Sequence, residues 1–205
     1  MGIFHQLTRK PWLPEHREID NQSAGGAFTL PTAKVGLRVF LFPISALFML
    51  FFVAYFVRMT FADWLPLHDP GVLWFNTGIL ILSSLALQSG RVDARQKNIG
   101  GTKTKLLLGG VFAFAFLAGQ LLAWQQLVAM GYFAETNPAN AFFYLFTALH
   151  GVHLLGGLVA WCRTMLKIRR GVEMEQVRLS VELCSVYWHY LLVVWAVMFS
   201  LLLAT

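Results

Sequence analysis

Three histidines of this chain stand inside long apolar stretches: His150 and His153 in His150-Gly-Val-His-Leu-Leu-Gly-Gly157, and His189 in Tyr187-Trp-His-Tyr-Leu-Leu-Val-Val-Trp195. An imidazole at bilayer depth costs free energy unless a partner helix, a lipid headgroup, a cofactor or a proton path meets it. On a helix, residues three apart such as His150 and His153 lie about 60° apart around the axis and roughly 4.5 Å apart along it, so they share a face. Glu182 and His189, seven residues apart, also share a face two turns on. The spacing predicts a polar seam between the fourth and fifth helices. Thr147, Gly151, Gly156 and Gly157 supply small residues for close helix approach.

Four chemistries fit such a seam. The residues can hydrogen-bond one another and fix helix register. They can hold a lipid phosphate or a partner subunit, with Arg38 as a cation and Trp124, Trp161 and Trp188 as interfacial indoles. They can bind a b-type heme, since neutral imidazole is a common axial ligand. Two histidines on one helix face cannot take opposite sides of one iron, so that alternative pairs His189 with His150 or His153 in a stand-alone heme protein. A heme-copper catalytic core needs more membrane histidines than these; the chain has six in all, and His5, His16 and His68 fall outside the apolar stretches. Proton transport predicts a relay of carboxylates in mid-helix. Glu182 lies near a helix end instead, and Asp63, Asp69, Asp93, Glu135, Glu173 and Glu175 fall in predicted loops.

The elements that must position these residues follow from composition. Of the 205 residues 57% are hydrophobic and only 13% charged, whereas roughly a quarter are charged in soluble domains. This is an integral membrane protein. Windows of about 20 apolar residues, enough to cross a bilayer core, fall at Val35 to Met59, Val72 to Ser89, Leu106 to Met130, Ala139 to Met165 and Val181 to Ala204. The expected fold class is all-α, a polytopic bundle of five transmembrane helices over residues 35–205, preceded by a cytoplasmic segment over residues 1–34. The second span carries Asn76, Thr77, Ser83 and Ser84 and is expected to pack on other helices rather than face lipid.

Basic residues set the expected orientation. Fifteen of the sixteen Lys and Arg alternate onto one side: Arg9, Lys10, Arg17, Lys34 and Arg38; Arg91, Arg95, Lys97, Lys103 and Lys105; Arg163, Lys167, Arg169, Arg170 and Arg178. Only Arg58 falls opposite. The N-terminus is therefore expected in the cytoplasm and the C-terminus in the periplasm. A net charge of +6 is accounted for by this topology and by anionic lipid, with no call for nucleic acid. Residues 1–34 lack the apolar core of a cleavable signal peptide. Cys162 and Cys184 indicate neither a disulfide framework nor a thiolate metal site.

Over residues 38 to 200 the chain resembles subunit III of the heme-copper respiratory oxidases. The carriers are Leu73-Trp-Phe-Asn-Thr-Gly-Ile-Leu-Ile-Leu-Ser-Ser84, Phe142-Phe-Tyr-Leu-Phe-Thr-Ala-Leu-His-Gly-Val-His-Leu-Leu-Gly-Gly157, and Glu182 followed by Tyr187-Trp-His-Tyr and Val194-Trp195. Five spans match the shorter bacterial members. The resemblance implies an accessory subunit of the bacterial inner membrane without heme, copper or catalytic residues of its own. It implies packing against subunit I and, with it, subunit II, which carry the heme and copper. It also implies retention of structural phospholipid, and support of proton uptake and durability during turnover. His150, His153, Glu182, Trp188 and His189 match the family's motifs. Carboxylates of the family pattern are replaced by Ile44 after Pro43, by Ala123 and by Leu192. Similar proteins accompany nitric oxide reductases, an assignment the motifs leave open along with the electron donor, cytochrome c or quinol.

Overall fold

A computed structural model describes residues 32–65 and 71–204. Most of the expected N-terminal segment, with His5 and His16, lies outside the described residues, as does His68. Two compact units divide the chain, Met1–Arg38 and Val39–Thr205. Arg38 is an exposed residue of the first.

The described residues form five helices, α1 Thr32–Arg58, α2 Val72–Arg95, α3 Ile99–Ala129, α4 Pro138–Arg169 and α5 Met174–Leu203, and each is long and apolar enough to cross a membrane. The five-helix expectation holds, and the helices overrun their apolar windows where the basic residues lie. α2 runs six residues past Ser89, and α3 begins seven before Leu106. A helix continues past the hydrocarbon wherever its side chains find partners. Here Lys105 of α3 pairs with Asp93 of α2 at 2.9 Å, and Arg91 and Arg95 pair with Glu182 of α5.

Local signals fix the turns. The α2–α3 turn is three residues long, with Lys97 at φ +58° and Asn98 capping α3 by accepting from the Gly101 N–H at 3.0 Å. Asn137 caps α4 through the Ala139 N–H, and Pro138 occupies the first turn, where its missing donor costs nothing. Gly131 at φ +85° and Gly171 at φ +67° close the two neighbouring loops.

α2 packs against α3 and α5, and α4 packs against α3 and α5. α1 joins through large rings. Phe52 and Tyr55 meet Phe146, with Tyr55 also edge-on to Trp64 and Phe142. The core is built from Leu80, Leu106, Phe116, Phe143, Leu154, Trp188 and Met198, all at most 1% exposed. As expected for the second span, Asn76, Ser83 and Ser84 are buried. The apolar Ile44 and Ala123 are 5% and 0% exposed, so two of the three positions that depart from the family pattern are sealed packing positions here, whereas Leu192 is half-buried.

Candidate functional site

Helix α5 presents one face to α2, and the polar side chains of both meet there in antiparallel order. Arg91 Nη2 donates to Glu182 Oε1 at 2.9 Å. One turn further into the bundle Ser185 Oγ donates to Gln88 Oε1 at 3.2 Å. Trp188 Nε1 then donates to Ser83 Oγ at 3.0 Å, and Trp195 Nε1 to Thr77 Oγ1 at 2.9 Å. As the numbers rise along α5 they fall along α2, so the four contacts form a ladder nearly as long as the apolar part of the helices. Ser83 also donates to the Gly109 carbonyl of α3 at 2.8 Å. A single hydroxyl thus joins three helices.

The ladder runs between α2 and α5, while helices four and five, the pair expected from the histidine spacing, meet through Tyr187 Oη donating to the His153 carbonyl at 2.9 Å and Lys167 Nζ donating to Ser180 Oγ at 2.9 Å. Helix periodicity told which residues share a face of α5, but not which neighbour that face meets. Glu182 and Trp188 belong to the ladder. His189 turns its Nδ1 back to the Ser185 carbonyl at 2.6 Å, and His153 does the same to Leu149 at 2.8 Å. Such back-bonds to the residue four earlier satisfy a polar side chain within its own helix.

His150 is placed differently. It is 0% exposed, with ring centroids 5.9 Å from Phe116 and 5.2 Å from Trp195, and its two ring nitrogens have no hydrogen-bond partner among the described residues. His153 stands against Phe48 of α1 at 5.4 Å. One face of α4 thus serves two interfaces, with His150 among rings of α3 and α5 and His153 on α1. Enclosure between an indole and a phenyl ring leaves His150 no open side for an iron porphyrin. Among the described residues no group of three His, Cys, Asp or Glu side chains converges to hold a metal ion.

The indoles also depart from expectation. Trp188 and Trp161, read from the sequence as interfacial, are 0% and 9% exposed. Each found an acceptor on a neighbouring helix, Ser83 for Trp188 and the Leu106 carbonyl at 2.8 Å for Trp161. Trp124 donates to Thr147 at 3.0 Å. Glycines make room for two of these rings. A Cβ at Gly157 would come within 2.9 Å of both Trp188 and Tyr187, and one at Gly110 would collide with the Trp161 indole. Gly157 was anticipated, whereas Gly151 and Gly156 leave space around them. Gly110 was missed because only the tertiary structure sets it beneath Trp161.

A buried amide pair completes the interior. Asn76 Nδ2 of α2 donates to the Phe116 carbonyl at 3.1 Å and to Gln120 Oε1 at 3.3 Å, both on α3. The polar character of the second span is legible in the sequence, whereas the pairing of Asn76 with Gln120 is not. The arrangement as a whole holds helices in register and closes their interior.

No family model matches the chain. Its sequence is 30% identical over 173 residues to a Thermostichus vulcanus protein named cytochrome c oxidase subunit 3, covering 82% of this chain and 85% of that one. A Synechocystis protein of the same name is 32% identical over 175 residues, covering 81% and 72%. The chain belongs to the subunit III family of the heme-copper oxidases. A Buchnera aphidicola relative, 26% identical over 125 residues and matched over 61% of each chain, is named cytochrome bo(3) ubiquinol oxidase subunit 3. This subunit III family member is thus similar to proteins named for two different electron donors. The segments that carry its family likeness contain the ladder residues Thr77, Ser83, Glu182, Trp188 and Trp195.

Proposed function

We propose that this chain is the non-catalytic third subunit of a bacterial heme-copper terminal oxidase, packed on the catalytic subunit I and assembled with subunit II, which reduce oxygen with their own heme and copper. The observation that carries the reading is the ladder. The motif residues Glu182 and Trp188 are engaged in holding helices together rather than aimed into a reaction cavity. Such a bundle serves the complex as a rigid intramembrane wall. It retains structural phospholipid, shields the catalytic subunit and supports proton uptake and durability during turnover. His150, His153 and His189 act in this reading as structural residues of the wall, His150 from inside it and the other two at half-buried positions. The distribution of basic residues among the loops supports an N-terminus in the cytoplasm and a C-terminus in the periplasm of an inner membrane.

A gentle-detergent pull-down from the native membrane tests the proposal. Copurification of a many-helix, histidine-rich chain with a two-heme reduced-minus-oxidised spectrum is the expected result, and the band positions name the oxidase type. A chain that purifies without heme-bearing partners, or that carries stoichiometric heme by itself, overturns it.

A further inference from the structure

Helix α5 turns its ladder toward α2 and leaves a stripe facing outward. Val186, His189, Val193, Ala196 and Ser200 succeed one another at steps of three and four residues, so they lie along one side of the helix. Val186 and Val193 are 39% and 61% exposed, and Ala196 and Ser200 are exposed, while His189 between the two valines is half-buried. The stripe runs about 21 Å along the helix, most of a hydrocarbon core of roughly 30 Å. Apart from the histidine its side chains are short or β-branched, which lets another helix come close. The outward sides of α1, α2 and α3 carry Phe42, Phe75 and Phe114 instead.

His189 gives the stripe a chemical preference. The Ser185 carbonyl accepts from its Nδ1 at 2.6 Å, which puts the proton of the neutral ring on Nδ1 and leaves Nε2 as an acceptor. Among the described residues no donor meets Nε2. The ring lies roughly 10 Å along the helix below Glu182, whose pairs with Arg91 and Arg95 mark the charged rim. At that depth acyl chains offer no donor and headgroups are out of reach, whereas a hydroxyl, amide or indole on a neighbouring helix can donate. A second copy of this chain fits poorly, because a two-fold contact through the same stripe would set one Nε2 acceptor against another. On α4 the outward Val152, Leu155 and Val159 form a comparably smooth face with no such acceptor.

We propose that this stripe of α5 is the docking line for a transmembrane helix of the catalytic subunit, with a hydroxyl, amide or indole of that helix donating to His189 Nε2. Resting on the oxidase-subunit reading, this names the face that the reading leaves open. A benzophenone amino acid is placed at Val193 or, as a control, at Val159 in the full chain in its native membrane, and the photo-coupled products are identified by mass spectrometry. Val193 should couple to a membrane helix of the heme-bearing chain and Val159 should not. His189→Leu should weaken retention of that chain in rising detergent about three- to twentyfold, the factors that correspond to the average and the largest hydrogen bonds between membrane helices. His189→Gln, which keeps an acceptor, should recover part of the loss. Val193→Trp, which obstructs the stripe and leaves the ladder untouched, should lower the heme retained per chain, with the amount of chain in the membrane unchanged. If the heme-bearing chain copurifies while Val193 couples to lipid, to a second copy or to nothing, the docking line is overturned and the oxidase-subunit reading stands. Undiminished retention in both His189→Leu and Val193→Trp overturns it as well. If no heme-bearing chain copurifies, the reading falls and the docking line with it.

Discussion

The Ser83 hydroxyl is the sharpest point at which to probe the bundle. It accepts from Trp188 of α5 and donates to Gly109 of α3, and both Ser83 and Trp188 are 0% exposed. Hydrogen bonds between membrane helices average about 0.6 kcal/mol and reach roughly 1.7, because the unfolded chain in the membrane also finds partners. Ser83→Ala removes two of them and strands the indole N–H, so it should destabilise the bundle by about 1 to 2 kcal/mol. Trp188→Phe gives up one bond and leaves space beside Gly157, and large-to-small changes in a packed interior add a cavity cost to the lost contact. The informative quantity is the coupling in the double variant. If Trp188 acts through Ser83, the double variant should cost less than the two single variants combined by about 0.6 to 1.7 kcal/mol. Reversible unfolding in mixed micelles, followed by far-ultraviolet circular dichroism, measures all four species. Additivity within about 0.3 kcal/mol, the range found for independent sites, would refute the three-helix junction.

Three further expectations concern other contacts. Gly110→Ala should drive the Trp161 indole off the Leu106 carbonyl, at the roughly 1 to 3 kcal/mol typical of overpacking; a red-shifted tryptophan emission with lowered stability would be seen, and an unchanged spectrum and stability would count against the packing described. Glu182→Gln leaves Arg91 and Arg95 without their shared acid. Breaking a fully buried pair costs about 3 to 5 kcal/mol, and the partial exposure of these groups reduces that to about 1 to 2; adding Arg91→Gln should recover part of the loss in thermal unfolding. In the loop after α1, the hydrogen bond from Arg58 holds the Asp63 carboxyl below its ordinary value of 3.8. A lowered carboxylate pKa stabilises the fold above the unfolded value and loses that contribution as pH falls through the folded one. Hydrogen exchange at Trp64 should therefore rise only below about pH 3.8, and an identical acid transition in Asp63→Asn would disprove the link.

How far the site was legible depended on whether a signal was periodic or relational. The five spans were readable because a bilayer demands about 20 apolar residues per crossing. Their ends were less so, since ion pairs such as Lys105 with Asp93 extend helices beyond the apolar window by contacts that lie apart in sequence. Glu182, Trp188 and His150 all stand out in the sequence, yet it does not show that the side-chain partners of Glu182 and Trp188 lie on α2. Spacing places Glu182 and His189 on one face of α5, while the residues that answer that face, Arg91, Gln88, Ser83 and Thr77, lie roughly 90 to 120 positions earlier. Gln88, Ser185 and Trp195 drew no notice as partners, because a glutamine, a serine and a tryptophan carry meaning only when set opposite one another.

The sequence by itself determined that this protein is a five-helix membrane bundle and, through the motifs of its fourth and fifth spans, carried its resemblance to the subunit III family of the heme-copper oxidases. Both follow from local chemistry, apolar length and short runs of residue types. The tertiary structure alone decided which polar groups meet. It turned α5 toward α2, enclosed His150 between Phe116 and Trp195, and seated Trp161 over Gly110. The physical reason is that apolar length fixes only that a helix crosses the membrane. Its rotation about its own axis is fixed by side-chain packing and hydrogen bonds to its neighbours, and those pairings are written in no single segment.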